Sequence, residues 1–378
     1  MKSAAALLVQ QWAVRRGLAY TADASREGRK VIIVLCGGMR REDTFTETGI
    51  ANIPHLNGEL RPHAALYTQM RNSGVTSHYN TISSILTGNW QRLDDWGKSR
   101  PAAPTIFEQM RKQTKWGAEQ TWLISSNKAL TNLIGASDVR GFGPGYGANV
   151  VFPKQLLINA VVRAAAQGRA VRGTDRAAVA PELQAMLNSD NYDGLGWQIS
   201  GEAAEIDTPA LGAIQHAIDD LVRTNAPATG DEFTYLVAAE VMRRFAPSFL
   251  TMTFSDMEVA HFGSYSLHLG GIRTVDRLVY EVWNLVQDLP AYRDKTTLFA
   301  LPEFGRDMDG STTNGFFNHR QDSASTRMTW MLCLGDAVRS PQTIEQPVEE
   351  TDIFPTIARM FGLTGTESQG RALPGLWL

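Results

Sequence analysis

Cysteine is scarce in this sequence: Cys36 and Cys333 are the only two among 378 residues. Two cysteines cannot build the disulfide framework that is typical of small secreted proteins. Each lies in an apolar run with the composition of a β-strand, VIIVLCGG around Cys36 and MTWMLCLGD around Cys333. Both are therefore predicted to be free thiols that are buried in the core.

Long apolar runs and an excess of charge are missing as well. No segment of residues 30–378 approaches the ~18 uninterrupted apolar residues of a membrane-spanning helix, so no transmembrane segment is predicted. The formal net charge is −3, from 36 basic and 39 acidic residues. Nothing therefore favours a surface that binds nucleic acid or an acidic membrane. The composition, 43% hydrophobic and 20% charged, is typical of a globular protein. A length of 378 residues is enough for one large α/β domain or two ordinary ones.

The first 29 residues differ from the rest of the chain. The run MKSAAALLVQQWAV begins with a lysine, but two glutamines interrupt it and no small-residue cleavage site follows directly. The Arg15–Arg16 pair comes after the apolar run, whereas a twin-arginine signal has its pair before one. Residues 1–29 are therefore predicted to be an extension, with an amphipathic helix near 4–16 and a polar linker. Cytoplasmic, periplasmic and membrane-peripheral locations all stay open.

Strand-like and helix-like segments alternate along residues 30–378. KVIIVLCGG is a β-branched run that ends in a glycine pair, as a buried parallel strand does where it enters a loop. Similar runs are TWLISSN, SFLTMTFSD, TTLFALPEFG and RMTWMLCLGD, and helical patterns such as IRTVDRLVYEVWNLVQDL and DIFPTIARMFGL separate them. The alternation predicts an α/β fold, an αβα sandwich with a central, mostly parallel sheet. Residues 153–246 are predicted to be a mainly helical insertion.

The stretch NTISSILTG, residues 80–88, concentrates hydroxyl groups ahead of a helical pattern. Such residues are typical of a helix N-terminus, which predicts a helix that starts within residues 80–84 and is capped by Asn80 or Thr81. The same hydroxyl groups could instead supply a nucleophile or bind an anion. The stretch alone leaves both interpretations open.

Polar residues collect after three of the predicted strands. CGGMRREDTF follows the first strand, Asp256, Glu258 and His261 follow FLTMTF, and Glu303 and then His319 follow TTLFAL. The carboxyl ends of adjacent parallel strands meet at one edge of a sheet, and a set of carboxylates and imidazoles there suits a divalent cation. Such an ion could polarise an ester oxygen and lower the pKa of a nucleophile.

The order of these motifs resembles that of the alkaline phosphatase/sulfatase superfamily. NIPHLNGEL and YTQMRNSGVTSHYNTISSILTG are similar to the segment that leads to the family's nucleophile loop and its Leu-Thr-Gly helix. DMEVAHFGSY, TTLFALPEFG and EETDIFPTIARMFGL are similar to a later metal loop, a strand that ends in Ser-Asp-His-Gly, and a closing Asp-x-x-Pro-Thr helix. The resemblance covers residues 30–375 and implies the fold of the family, together with a two-metal site for ester hydrolysis.

Several metal-binding positions depart from the family's pattern. Gly37 stands where the resemblance implies a metal-binding aspartate, and Phe304 stands in place of the motif's histidine. Glu303 keeps a carboxylate beside that position. Glu42 and Asp43, a few residues after the missing aspartate, are possible substitutes as ligands.

The other metal subsite and the nucleophile are only partly retained. Asp256 or Glu258, together with His261 and His319, could form one metal subsite by resemblance. Counting back from Leu86-Thr87-Gly88, the nucleophile position of the family falls on His78. The hydroxyl groups near this position are the candidate nucleophiles: Thr76, Ser77 and Thr81.

Two functions remain open for such a site. In the first, the chain is a non-catalytic relative that acts as a binding or structural subunit, with protein partners or a second copy of itself held through residues 1–29 and the helical insertion. In the second, it is a hydrolase of phosphate or sulfate esters that uses one divalent ion, zinc, calcium, magnesium or manganese, with Glu303 as an outer ligand or base. The loss of the aspartate and the histidine favours the first.

Overall fold

A computed structural model describes residues 28–95, 97–156, 229–309, 315–320, 323–339 and 341–376, and the backbone of 197–198. The helix predicted near residues 4–16 and most of the predicted insertion 153–246 lie outside these ranges. Within them, every helix is too short or too polar to span a bilayer.

Ten strands of the described chain form one sheet. In chain order they are β1 Lys30–Leu35, β2 Ala64–Arg71, β3 Thr121–Ser125, β4 Asn149–Val151, β5 Trp197–Gln198, β6 Phe249–Thr253, β7 Thr296–Leu301, β8 Met328–Gly335, β9 Gln342–Ile344 and β10 Val348–Glu349. Their spatial order is β10-β2-β8-β7-β1-β6-β3-β4-β5, and β9 also pairs with β2. The central strand β1 is parallel to both β6 and β7, and β3 is parallel to β4 and β6, whereas β8 is antiparallel to its neighbours β2 and β7. The predicted mostly parallel sheet is confirmed.

Helices cover both faces of this sheet. The described α-helices are α1 His78–Thr87, α2 Ile106–Thr114, α3 Gly230–Phe245, α4 Tyr265–Asp288, α5 Ala324–Arg327 and α6 Ile353–Met360. One hydrophobic core holds α3 and α4 against the sheet, and a second core holds α1, α2 and α6 against the other face. Ile32 and Val34 of β1 belong to the first core and Val31 and Ile33 to the second, because successive side chains of a strand point to opposite faces. The αβα sandwich is therefore confirmed.

Both cysteines are buried and free, as the sequence predicts. Cys36 belongs to the core on one face of the sheet and Cys333 to the core on the other. Burial raises the pKa of both thiols well above the usual range, so that neither is a reactive thiolate.

The predicted start of the helix after the hydroxyl-rich stretch is wrong by at least two residues. α1 begins at His78, with Ser77 as its extended N-cap residue, and the side chain of Ser77 makes no capping hydrogen bond. Asn80 and Thr81 lie inside the first turn. Asn80 instead accepts a hydrogen bond from the backbone N–H of Leu93, 2.6 Å away. The side-chain oxygen of Asn80, which the local sequence pattern predicts to cap the helix, is thus used in a tertiary contact with Leu93.

Glu350 lies between β10 and α6 as a fully buried carboxyl group. Neither of its oxygens has a hydrogen-bond partner within the described structure. Burial raises its pKa well above the ordinary value, because the charged form is disfavoured away from water. The unfolded chain ionises the same group above its ordinary pKa of 4.5. As pH rises from that value toward the folded-state pKa, this carboxyl group therefore lowers the free energy of unfolding.

We expect Glu350→Gln to raise the free energy of unfolding at pH 8 by more than at pH 5, because the amide has no proton to lose. The gain should grow by about 1.4 kcal/mol per pH unit between the unfolded-state and folded-state pKa values. Urea unfolding from pH 5 to pH 8 measures it. The exposed Glu345→Gln is the control and should show no such trend. If the free energies of unfolding of Glu350→Gln and the wild type differed by the same amount from pH 5 to pH 8, the assignment of Glu350 as a buried acid with a raised pKa would be contradicted.

Candidate metal centre

The loops after three adjacent parallel strands meet at one edge of the sheet. β6, β1 and β7 lie side by side, and their carboxyl ends point the same way. A bridge between Gly38 and Phe304 extends the β1–β7 pairing beyond the strands. The N-terminus of α1 reaches the same edge. The polar residues that follow these strands are therefore brought together, as the sequence indicates.

Four side chains form a cluster at this edge: His78, Glu258, His261 and His319. Each offers one ligand atom, and these four atoms lie within 4.8 Å of one another. His78 is the first residue of α1, and Glu258 and His261 belong to the 3-10 helix Asp256–Phe262 that follows β6. Residues three apart eclipse each other in a 3-10 helix, so that Glu258 and His261 face the cluster together.

The distances within the cluster fit one metal ion. Nε2 of His78 and Nε2 of His261 lie 3.2 Å and 3.3 Å from Oε2 of Glu258. Nε2 of His319 lies 3.0 Å from Nε2 of His261 and 3.9 Å from the same carboxylate oxygen. Ligands at ~2.0–2.1 Å from a tetrahedral zinc ion are ~3.3–3.4 Å apart, so that small side-chain movements suffice. Three imidazoles and one carboxylate suit zinc or another first-row transition metal better than calcium or magnesium.

Hydrogen bonds behind two of the rings orient them toward the cluster. Nδ1 of His78 lies 2.5 Å from Oε2 of Glu303, and Nδ1 of His319 lies 3.1 Å from the carbonyl oxygen of Thr76. Each Nδ1 is thus used as a donor, and Nε2 faces the other ligand atoms. Histidines that bind metal ions typically have such a partner, which fixes both the tautomer and the ring orientation.

Burial and charged neighbours together determine the pKa values of His78, Glu258 and His319. Burial acts to lower the pKa of His78, but the carboxylates of Glu258 and Glu303 outweigh it and raise that pKa to about 10. Burial acts to raise the pKa of Glu258, but Arg306 and His78 hold it well below its usual range. Burial, with the positive charge of His78, lowers the pKa of His319 well below its usual range. The cluster therefore contains a carboxylate and a neutral imidazole, and an ion that binds His78 displaces a proton.

Arg306 is a fully buried cation beside the cluster. Its Nη2 contacts Oε2 of Glu258, its Nε donates to the carbonyl of Gly38 at 2.8 Å, and its Nη1 donates to the carbonyl of Phe316 at 3.2 Å. The backbone N–H of Gly38 also donates to the other oxygen of Glu258, at 3.0 Å. Glu258 is thus held through both of its oxygens.

The positions where the resemblance implies ligands for a second ion have other roles in the structure. Gly37 has φ +66°, and a Cβ atom there would lie 2.3 Å from the sulfur of Met257. An aspartate at this position would therefore be strained and would collide with its neighbour. The ring of Phe304 stacks on His319 with centroids 4.3 Å apart and lies 4.8 Å from the ring of His78.

Three of the predicted ligands are not brought into the cluster. Asp256 accepts a hydrogen bond from the backbone N–H of Asp231 at 2.7 Å, and so ties the loop after β6 to the start of α3. Asp43 is buried in an ion pair with Arg40, whose Nε is 2.8 Å from a carboxylate oxygen. Glu42 is exposed. Of the alternatives Asp256 and Glu258, the structure thus places Glu258 at the centre.

The predicted nucleophiles are buried, and the hydroxyl groups of Ser77 and Thr81 are hydrogen-bonded. Thr76 offers its carbonyl to His319, and the hydroxyl of Ser77 accepts from the amide of Asn80 at 2.9 Å. The hydroxyl of Thr81 is bonded into the loop before α1. These three residues are at most 6% exposed. The predicted outer ligand or base Glu303 is 1% exposed and contacts His78, which itself occupies the nucleophile position.

The sequence does not predict His78 as a metal ligand or Arg306 as a partner of Glu258. His78 has a signal in the sequence, because it falls on the nucleophile position and directly precedes a helical pattern. Arg306 has none, because an arginine three residues after Glu303 could equally point to solvent.

Solved structures of the alkaline phosphatase superfamily share this fold. A protein of that superfamily from Vibrio parahaemolyticus has 13% identity and a TM-score of 0.54, over 91% of this chain and 69% of that one. The lipoteichoic acid synthase LtaP from Listeria monocytogenes has 12% identity and a TM-score of 0.54, over 93% and 77%. The PsFucS1 sulfatase from Pseudoalteromonas sp. has 11% identity and a TM-score of 0.52, over 98% and 74%. No protein-family sequence model and no curated protein sequence matches the chain. The suspected likeness is therefore confirmed at the level of the fold.

Proposed function

We propose that this chain, which has the fold of the alkaline phosphatase superfamily, binds one transition-metal ion and does not hydrolyse phosphate or sulfate esters. The observation that carries the proposal is the orientation of His78. It stands at the nucleophile position of the family's pattern, yet its Nε2 lies 3.2 Å from Glu258 and joins His261 and His319. Four protein ligands close a tetrahedral site, whereas a catalytic zinc site keeps one position open for water or substrate.

The surroundings of the cluster support a single ion. In a two-metal hydrolase, each ion neutralises charge on one of the two reacting oxygens. Here Gly37 offers no ligand, Phe304 fills the next position with a ring, and the guanidinium of Arg306 lies against Glu258. Loss of one of two ions removes several kcal/mol of transition-state stabilisation, and each ~1.4 kcal/mol is a factor of ten in rate.

The ion would have a structural role in this proposal. Its ligands come from α1, from the loop after β6 and from the segment after β7, so that one ion would join three parts of the chain that are far apart in sequence. The protein would then act through its surface, as a subunit or a homo-oligomer. Residues 1–29 and the insertion 153–246 remain the proposed contacts with partners.

One observation favours a second candidate function. The side chain of His261 is 40% exposed, so that solvent reaches the cluster from that side. A bound ion that accepts a fifth ligand could carry a water molecule there, and metal-bound water is a nucleophile at neutral pH. The chain would then be a single-metal ester hydrolase without a hydroxyl nucleophile.

A metal-supplemented ester screen separates the two functions. We expect no turnover of aryl phosphates, phosphodiesters or aryl sulfates above that of a His261→Ala, His319→Ala double variant, with zinc, manganese, magnesium or calcium added. The closed ligand set and the missing second ion are the physical reasons. Metal content is measured on the same samples, so that an inactive protein is known to be loaded. Robust wild-type turnover that disappears in the double variant would overturn the proposal in favour of the hydrolase.

A further inference from the structure

At the proposed centre, the metal ion and the guanidinium of Arg306 would have to share one carboxylate oxygen of Glu258. Oε2 of Glu258 faces Nε2 of His78, His261 and His319, and the guanidinium of Arg306 contacts the same atom. Arg306 is fully buried, so that water does not screen its charge on that side. An ion ~2.0–2.1 Å from this oxygen would lie less than ~5 Å from the nearest guanidinium nitrogen.

We propose that Arg306 is a resident cation that competes with the metal ion for Glu258 and so weakens metal binding. The inference rests on the proposed function, because it concerns the same ion. Arg306 takes the place of a second cation in the site. Its positive charge offsets part of the negative charge of Glu258 that would otherwise attract the metal ion.

The geometry of Glu258 does not depend on Arg306 alone. The backbone N–H of Gly38 donates to Oε1 of Glu258 at 3.0 Å, and His78 lies 3.2 Å from Oε2. These contacts, together with the 3-10 helix that carries Glu258, keep the carboxylate directed at the cluster. An uncharged side chain at position 306 therefore removes a positive charge and leaves the ligand in place.

Two electrostatic effects then act in the same direction. The repulsion between a divalent ion and a guanidinium less than ~5 Å away disappears, and at that separation it is large even with an effective dielectric constant of about 20. The metal-free protein also becomes less stable, because Glu258 loses its counter-charge in a buried place, and a bound ion restores that charge. Both effects make the ion bind more tightly to the variant than to the wild type.

The test compares zinc affinity among full-length variants, by competition with a chromophoric chelator at fixed pH and ionic strength. Arg306→Met keeps an unbranched side chain without the charge, and it should bind zinc at least roughly tenfold more tightly than the wild type. Arg306→Lys keeps the charge and should stay near the wild-type affinity. Arg306→Gln tests the same loss of charge if the methionine variant does not fold.

Arg40→Met is the matched control. Arg40 is also a buried arginine at this edge, and it pairs with Asp43 outside the cluster. This variant should lose stability without any change in zinc affinity. Unchanged or weaker zinc binding by both uncharged variants at position 306 would overturn the competition. A wild-type protein that binds no zinc would instead contradict the proposed function itself.

Discussion

Replacing His319 by alanine should lower the affinity of the protein for zinc by roughly a hundredfold to a thousandfold. Structural zinc sites bind with about 10–16 kcal/mol in total, so that each of four ligands accounts for about 3 kcal/mol. A difference of 1.4 kcal/mol is a factor of ten in a dissociation constant. His319 is the ligand chosen for this test. Its lowered pKa favours the neutral ring, so that its removal changes the charge of the cluster little. Its Nδ1 is bonded to the carbonyl of Thr76, which leaves Nε2 for the metal ion.

A chelator competition assay measures this loss, and circular dichroism of the metal-free variant checks its fold. The exposed His63→Ala removes an imidazole outside the cluster and should leave zinc affinity unchanged. If His319→Ala bound zinc as tightly as the wild type, the ion would have to sit elsewhere. The assignment of the cluster would then be wrong.

Zinc should also raise the free energy of unfolding by about 4 kcal/mol when its free concentration is a thousand times the dissociation constant. The reason lies in the connectivity of the site. His78 is separated by 180 residues of chain or more from Glu258, His261 and His319. The complete ligand set therefore exists only in the folded protein, and binding energy becomes folding energy.

Urea unfolding with zinc and with a chelator measures this stabilisation. In the His261→Ala, His319→Ala double variant, the two unfolding curves should coincide. Magnesium and calcium at equal concentration should stabilise the wild type far less, because they prefer oxygen ligands. Equal stabilisation of the double variant by zinc would show that the effect arises outside this cluster.

The sheet could be predicted from the sequence because its central strands are buried on both faces. KVIIVL, FLTMT and TTLFAL are continuous apolar or β-branched runs, and each forms a strand where it is expected. The short edge strands β9 and β10 could not be predicted in this way. Gln342–Ile344 and Val348–Glu349 contain few apolar residues, and their pairing with β2 depends on tertiary contacts.

The site was predictable only in part, because side-chain direction decides it. Glu258 and His261 reach the cluster because a 3-10 helix aligns residues three apart. Asp256, two residues before Glu258, turns instead to the amide of Asp231. The direction of Arg306 follows from the carbonyls of Gly38 and Phe316, which sequence spacing does not reveal.

The most direct test of the central claim is a crystal structure of the zinc-loaded protein with anomalous scattering data at the zinc edge. The proposed centre predicts one anomalous peak per chain, with Nε2 of His78, His261 and His319 and Oε2 of Glu258 within ~2.0–2.2 Å of it. Two peaks would contradict the single-ion centre. A single peak from which His78 is turned away, with solvent in its place, would contradict the closed site and support a hydrolase.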